Sequence, residues 1–141
     1  MNADSFSLLD TNVIIYLLDG SNSKKSRRAE QLVQSGLSER SCCISQQVIQ
    51  ETLNVATQKL NFVPEDAERL LDKTLLPLLR MVPAARLYER GLRIQSRYQY
   101  SFYDSLIIAA ALEAGCKNLY SEDLQDGQRI EQLTIVNPFR S

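Results

Sequence analysis

Four carboxylates stand at or within reach of the ends of short apolar runs. Asp10 closes the run Phe6 to Leu9 in Leu-Leu-Asp-Thr-Asn, and Glu51 lies in Gln-Gln-Val-Ile-Gln-Glu. Asp104 opens the segment Tyr-Asp-Ser-Leu-Ile-Ile-Ala-Ala-Ala-Leu, and Asp123 ends Tyr-Ser-Glu-Asp. Taken singly, each has an ordinary explanation. Asp10, Asn12 or Asp104 would serve as helix caps, Glu51 as a solvated helix residue, and Ser121 to Asp123 as a polar turn. Gathered in one cleft they would repel, and their pKa values would rise unless a cation offset the charge. An all-oxygen donor set suits Mg²⁺ or Mn²⁺ rather than zinc. Such an ion orients and activates water and stabilises the oxygens of phosphodiester hydrolysis.

Absences narrow the chemistry further. The 141 residues contain no histidine, which removes Ser-His-Asp and Cys-His nucleophiles, imidazole acid–base catalysis and His-ligated zinc. The three cysteines, Cys42, Cys43 and Cys116, offer no CxxC spacing; buried thiols of a reducing cytosol are the simpler reading. Neither phosphate-binding glycine signature is present. With 16 Lys+Arg against 17 Asp+Glu the net charge is -1, so phosphate binding has to be local.

The carboxylates need elements to position them. With 44% hydrophobic and 23% charged residues, the composition is that of one ordinary globular domain over residues 1–141. Short apolar strands are expected at Phe6 to Leu9, Ser41 to Ser45, Met81 and Val82, Asn118 to Tyr120, and Leu133 to Val136. Between them lie helical patterns: Asn12 to Leu18, Ser23 to Arg40, Gln46 to Leu60, a helix opened by Pro64 and ended or kinked at Pro77, Ala84 to Tyr98, and Asp104 to Ala114 stopped by Gly115. In the Gln46 helix, Val48, Ile49, Leu53 and Val55 are the candidate buried residues. Alternation of this kind predicts an α/β domain with a mainly parallel sheet. Acids at the carboxyl ends of such strands are where a site belongs. The longest apolar run, Leu106 to Leu112, is far below the ~20 residues that span a bilayer, and the N-terminus lacks a basic leader, so a cytoplasmic protein without membrane attachment is expected.

This order of residues resembles the PIN-domain family of metal-dependent nucleases. An apolar strand delivers Asp10, Thr11 and Asn12 into an apolar helix; a helical Glu51 and a helix-opening Asp104 follow, then Ser121 with Asp123. The ending Leu-Thr-Ile-Val-Asn-Pro-Phe is similar to the final strand of bacterial members. The resemblance implies a three-layer α/β/α domain in which Asp10, Glu51, Asp104 and Asp123 hold Mg²⁺ or Mn²⁺. Thr11, Asn12 and Ser121 would orient those carboxylates. Asp126, three residues beyond Asp123, is the competing fourth acid, and Glu122 the less favoured one. An endoribonuclease of the VapC toxin type is implied, with an antitoxin partner covering the cleft and a homodimer as the assembly.

For the RNA, two basic clusters compete. Arg86, Arg90, Arg93 and Arg97 recur at helical spacing, and Lys24, Lys25, Arg27 and Arg28 form the second set; a solvated helix face explains either equally well. Two other readings stay open: a PIN-type nuclease of RNA processing without an antitoxin, and a catalytically silent nucleic-acid-binding module. An aspartyl-phosphate phosphatase is set aside, because the second Asp it uses is replaced by Asn12.

Overall fold

The computed structural model describes residues 6–140; the ends of the expected 1–141 domain lie outside the described residues. The shortest apolar runs form the sheet. Strands β1 (Ser7–Leu9) and β2 (Cys42–Cys43) are buried throughout, β3 (Asn118–Tyr120) and β5 (Leu133–Val136) alternate buried and half-buried residues, and β4 (Arg129–Ile130) is a two-residue edge. Their order is β2-β1-β3-β5-β4, all parallel except β4, which pairs antiparallel with β5.

Helices α1 (Thr11–Leu18) and α2 (Ser23–Glu39) connect β1 to β2. The return from β2 to β3 passes through α3 (Gln46–Gln58), α4 (Pro64–Leu70), α5 (Leu76–Leu78), α6 (Ala84–Tyr98) and α7 (Phe102–Glu113). The two crossovers step in opposite directions, so their right-handedness puts the helix groups on opposite faces of the sheet. The expected three-layer α/β architecture is therefore present. The order also makes β1 and β3 the neighbours between which the connections diverge, the place where an α/β sheet opens a crevice.

Local chemistry explains most boundaries. Asp10, Asn22, Ser45 and Ser101 cap α1, α2, α3 and α7 by accepting from first-turn N–H groups. Ser101, rather than Asp104, is thus the cap of α7. Gly115 at φ +77 ends that helix in a left-handed turn: its N–H donates to Leu112 O and that of Cys116 to Ala111 O. Ahead of Pro77, residues Leu71–Leu75 widen into a π-helical turn, with Leu76 N–H reaching back to Leu71 O, and α5 ends at Leu78. Pro77 lacks the N–H that a regular α-helix would use there.

Two expectations are corrected. Met81 and Val82 form no strand; Leu79 instead makes a parallel bridge to Ile44, with Ile44 N–H on Leu78 O and Arg80 N–H on Ile44 O. The extended link lies two residues earlier, because Pro83 caps α6 and leaves Met81 63% exposed, with nothing to pair it. In α3 the fully buried residues are Val48, Thr52 and Ala56, while Ile49, Leu53 and Val55 are half-buried. Small Thr52 and Ala56 let the helix lie close, which turns Glu51 out of the core. Strand β4, only two residues long, has no counterpart among the expected strands.

All three thiols are buried, and Cys43 Sγ lies 3.7 Å from Cys116 Sγ. No helix among the described residues is long and apolar enough to cross a membrane.

Candidate active site

Main-chain bonds set the floor of the crevice. Asp10 N–H donates to Tyr120 O at 2.9 Å and Ser121 N–H to Val136 O at 3.0 Å, so the ends of β1, β3 and β5 are held level. Above them opens a cleft of about 590 Å³ lined by Asp10, Thr11, Asn12, Glu51, Asp104 and Asp123. All four sequence-predicted acids are brought together. Ser121 is fully buried beneath them.

Short side chains fix the carboxylates. Asp10 accepts from Thr11 N–H (2.7 Å) through one oxygen and from Ser121 Oγ (2.7 Å) and Asn12 Nδ2 (3.3 Å) through the other. Asn12 Nδ2 also lies 3.2 Å from Asp123 Oδ2, so one amide links the acids of β1 and β3. Its Oδ1 accepts from Glu122 N–H at 3.1 Å. Thr11 Oγ1 donates to Glu51 Oε1 at 2.6 Å. Asp104, in the first turn of α7, faces the favourable N-terminal end of that helix dipole. Burial pushes the Asp10 carboxyl up to about 6, hydrogen bonds from Ser121 and Thr11 oppose this, and the charges of Glu51 and Asp123 add to it.

Asp126 is elsewhere. Its oxygens accept from Asn137 N–H and from Arg140, both at 2.8 Å, and these donors hold its carboxyl below the usual range. It ties the loop after β3 to the C-terminal segment. Glu122 borders the cleft, but Tyr16 Oη donates to it at 2.6 Å and Lys25 pairs with its other oxygen. Burial opposes ionisation of Glu122, and the bonds from Lys25 and Tyr16 outweigh it, so its pKa falls. This Tyr16–Lys25–Glu122 partition escaped the sequence reading, although Tyr16 stands one turn beyond Asn12 on the same helix face. Gln47 and Asn54 line the cleft as well, at the spacing from Glu51 that shares its face.

The basic clusters lie outside the cleft. Arg86, Arg90, Arg93 and Arg97 line a separate groove of about 620 Å³. There Arg90 bridges Glu113 and Glu131, and Arg86 reaches Glu113 at 3.2 Å. Lys24 and Lys25 belong to a third groove beside the C-terminal segment.

Among the described residues, no three Asp, Glu or Cys side chains are gathered tightly enough to enclose a cation by themselves. The donor set nonetheless suits a hard divalent ion. Mg²⁺ keeps several waters and takes only one or two carboxylates from its protein, and a cation would offset the Asp10 charge that burial, and to a smaller extent the Glu51 and Asp123 charges, make costly.

A mainly parallel α/β chain with an acidic crevice at the divergence of β1 and β3 defines a class of domain rather than a single protein. Within that class, a sequence model described as PIN domain matches residues 7–128. The chain belongs to the PIN domain family. Comparison with curated proteins gives no match. Among solved structures, a toxin–antitoxin complex from Klebsiella pneumoniae shares the fold at TM-score 0.68 and 21% identity, over 94% of this chain and 97% of the other. FitAcB from Neisseria gonorrhoeae gives 0.65 and 18%, over 96% and 100%. The VapC20 toxin of Mycobacterium tuberculosis, a sarcin-ricin loop cleaving toxin, gives 0.63 and 21%, over 83% and 89%.

Proposed function

We propose that the chain is a divalent-metal-dependent endoribonuclease and the toxin of a toxin–antitoxin pair. The observation that carries this reading is the convergence of Asp10, Glu51, Asp104 and Asp123, from four separate segments, on one cleft of a PIN domain. The likeness to the Klebsiella pneumoniae toxin–antitoxin complex and to the VapC20 toxin supports the toxin role.

In this reading Asp10, Glu51, Asp104 and Asp123 hold Mg²⁺ or Mn²⁺, directly or through water. The ion would supply activation of water and charge stabilisation at the scissile phosphate. The chain itself supplies orientation. Asn12 fixes the Asp10 and Asp123 carboxylates relative to each other, Thr11 Oγ1 aims Glu51, and Ser121 Oγ holds the inner oxygen of Asp10. These donors restrain carboxylates that would otherwise splay apart, as supporting hydrogen bonds do at metal sites. An antitoxin covering the cleft, a homodimer and a cytoplasmic location belong to the same reading.

The test is cleavage of RNA by the full chain. Asp10→Asn and Asp104→Asn should keep the native circular dichroism spectrum and lose cleavage by at least a hundredfold, and EDTA should abolish wild-type activity until Mg²⁺ or Mn²⁺ is restored. Undiminished cleavage in EDTA, or full activity in Asp10→Asn, would overturn the mechanism.

A further inference from the structure

The acidic cleft repels the polyanion it is proposed to cut, so some neighbouring surface has to hold the strand. Two basic grooves compete, and their linings differ. The α6 groove sets four arginines against Glu89, Glu113 and Glu131, and two of those arginines are already paired with the acids. The groove between the start of α2 and the C-terminal segment, about 320 Å³, is lined by Lys24, Lys25, Arg28 and Arg140 with no carboxylate among its walls.

Position also favours the second groove. It meets the catalytic cleft at one thin partition: Lys25 Nζ bonds Glu122 and, at 3.2 Å, Tyr16 Oη, both of which line the cleft. The Tyr16 ring packs edge-on against Phe139 at 4.9 Å, and Phe139 lines the groove. Neither groove shares a wall residue with the cleft, but among the described residues no hydrogen bond, ion pair or ring contact joins the walls of the α6 groove to those of the cleft. Within the second groove, Lys24 and Arg28 lie one turn apart on α2 and have no acidic partner among the described residues, while Arg28 Nε is held by Pro138 O at 3.1 Å. Arg140 is partly neutralised by Asp126.

We propose that this groove is the subsite for single-stranded RNA flanking the scissile phosphate, with Lys24 and Arg28 on successive phosphates and the Phe139 ring beside a base. The assignment rests on the ribonuclease reading above. Charged groups on α2 supply backbone attraction without sequence choice, and a neighbouring aromatic ring adds the stacking typical of single-strand sites. Lys25 has a different task, closing the partition by its pair with Glu122.

The experiment uses the full chain in EDTA, where the proposed cleavage does not run, and single RNA strands in two lengths: one short enough to fill only the cleft and one several nucleotides longer. Lys24→Gln with Arg28→Gln should lower the slope of log affinity against log salt by about 1.4 for the long strand, from roughly 0.7 per lost phosphate contact, and weaken binding roughly 20-fold at 0.1 M salt. The short strand should bind as before. With the metal restored, cleavage of the long strand should show a raised KM with kcat unchanged. Lys24→Gln alone, at an exposed residue with no partner to lose, should give half the change in slope. Arg93→Gln with Arg97→Gln should leave the slope alone. An unchanged slope in the α2 variant, or a slope lowered only in the α6 variant, overturns the assignment while leaving the nuclease reading intact. Unchanged RNA binding with loss of polyglutamate binding would give the groove to an acidic polypeptide and overturn it equally. A wild-type chain that neither binds nor cuts RNA overturns the underlying reading and the subsite with it.

Discussion

Asp10 meets conflicting demands: it caps α1, accepts from Ser121, and is held in a crevice where its charge is poorly solvated. Its carboxyl pKa is about 6 in the fold against 3.8 without it, so the folded state binds the proton more tightly. The resulting penalty is absent below about pH 4, grows as pH rises towards 6 and is full above that, worth at most on the order of 3 kcal/mol. Asp10→Asn should therefore stabilise the metal-free protein at pH 7.5 by about 1–2 kcal/mol, part of the gain being lost with the Asn12 bond, and should bring no gain at pH 4. Thermal unfolding in EDTA at the two pH values measures this; added Mg²⁺ should raise the wild-type midpoint more than that of the variant. At the rim, Asp123→Asn should cut cleavage by tenfold or more, whereas Asp126→Asn should leave the rate near wild type and lower the thermal midpoint only slightly through its lost bonds. Asp10, Asp104 and Asp123 were legible in the sequence because they stand beside the ends or starts of apolar runs, and Glu51 because a residue about one and a half turns into the helix after β2 still reaches the carboxyl end of the sheet. The Tyr16–Lys25–Glu122 partition was not, because it joins residues far apart in the chain.

Among the elements, agreement with the sequence follows the strength of local signals. Helix α6 has the limits its pattern predicts, and α7 stops where Gly115 allows a left-handed residue. Edges were harder. The two residues of β4 carry no periodicity, and the pairing of Leu79 with Ile44 depends on where the π-turn before Pro77 delivers the chain. The buried stripe of α3 was misjudged because hydrophobicity alone favours Ile49 and Leu53, while close approach favours Thr52 and Ala56. Packing of α2 on β2 is equally tight at Gly36, where an added Cβ would stand 2.9 Å from Cys42 Cβ and 3.1 Å from Leu78 Cδ2. The first of these atoms is fixed to a strand and has no room to yield. Gly36→Ala should cost about 1–3 kcal/mol, while Gly20→Ala, which meets nothing within 4 Å, should be close to neutral. Chemical denaturation of both variants separates the two.

Over the whole molecule, a net charge of -1 conceals a division of labour. Acids gather at the carboxyl ends of β1 and β3, cations gather beside α2, and the α6 arginines are partly spent on holding the far end of α7. Arg90 joins Glu113, whose side chain is only 5% exposed, to Glu131 beyond β4. Arg90→Leu should destabilise the protein by about 1–3 kcal/mol, because it strips a nearly buried carboxylate of a partner, and should leave RNA affinity unchanged. Composition showed that charge had to be local, but the spacing of the arginines could not show which of them were already occupied.

The thiols add a consequence of a different kind. Cys42 and Cys43 sit in β2 and Cys116 just ahead of β3, on either side of β1, so a modifying reagent reaches them only when strands separate. The chain thus carries its own clock for opening, readable without an engineered label. At low reagent concentration, the rate of thiol modification should report the free energy of the opening that exposes each sulfur. All three rates should converge on the global unfolding rate as reagent is increased. A Cys42 that reacts ahead of the other two would show that the β2 edge, with its Leu79 bridge, opens by itself.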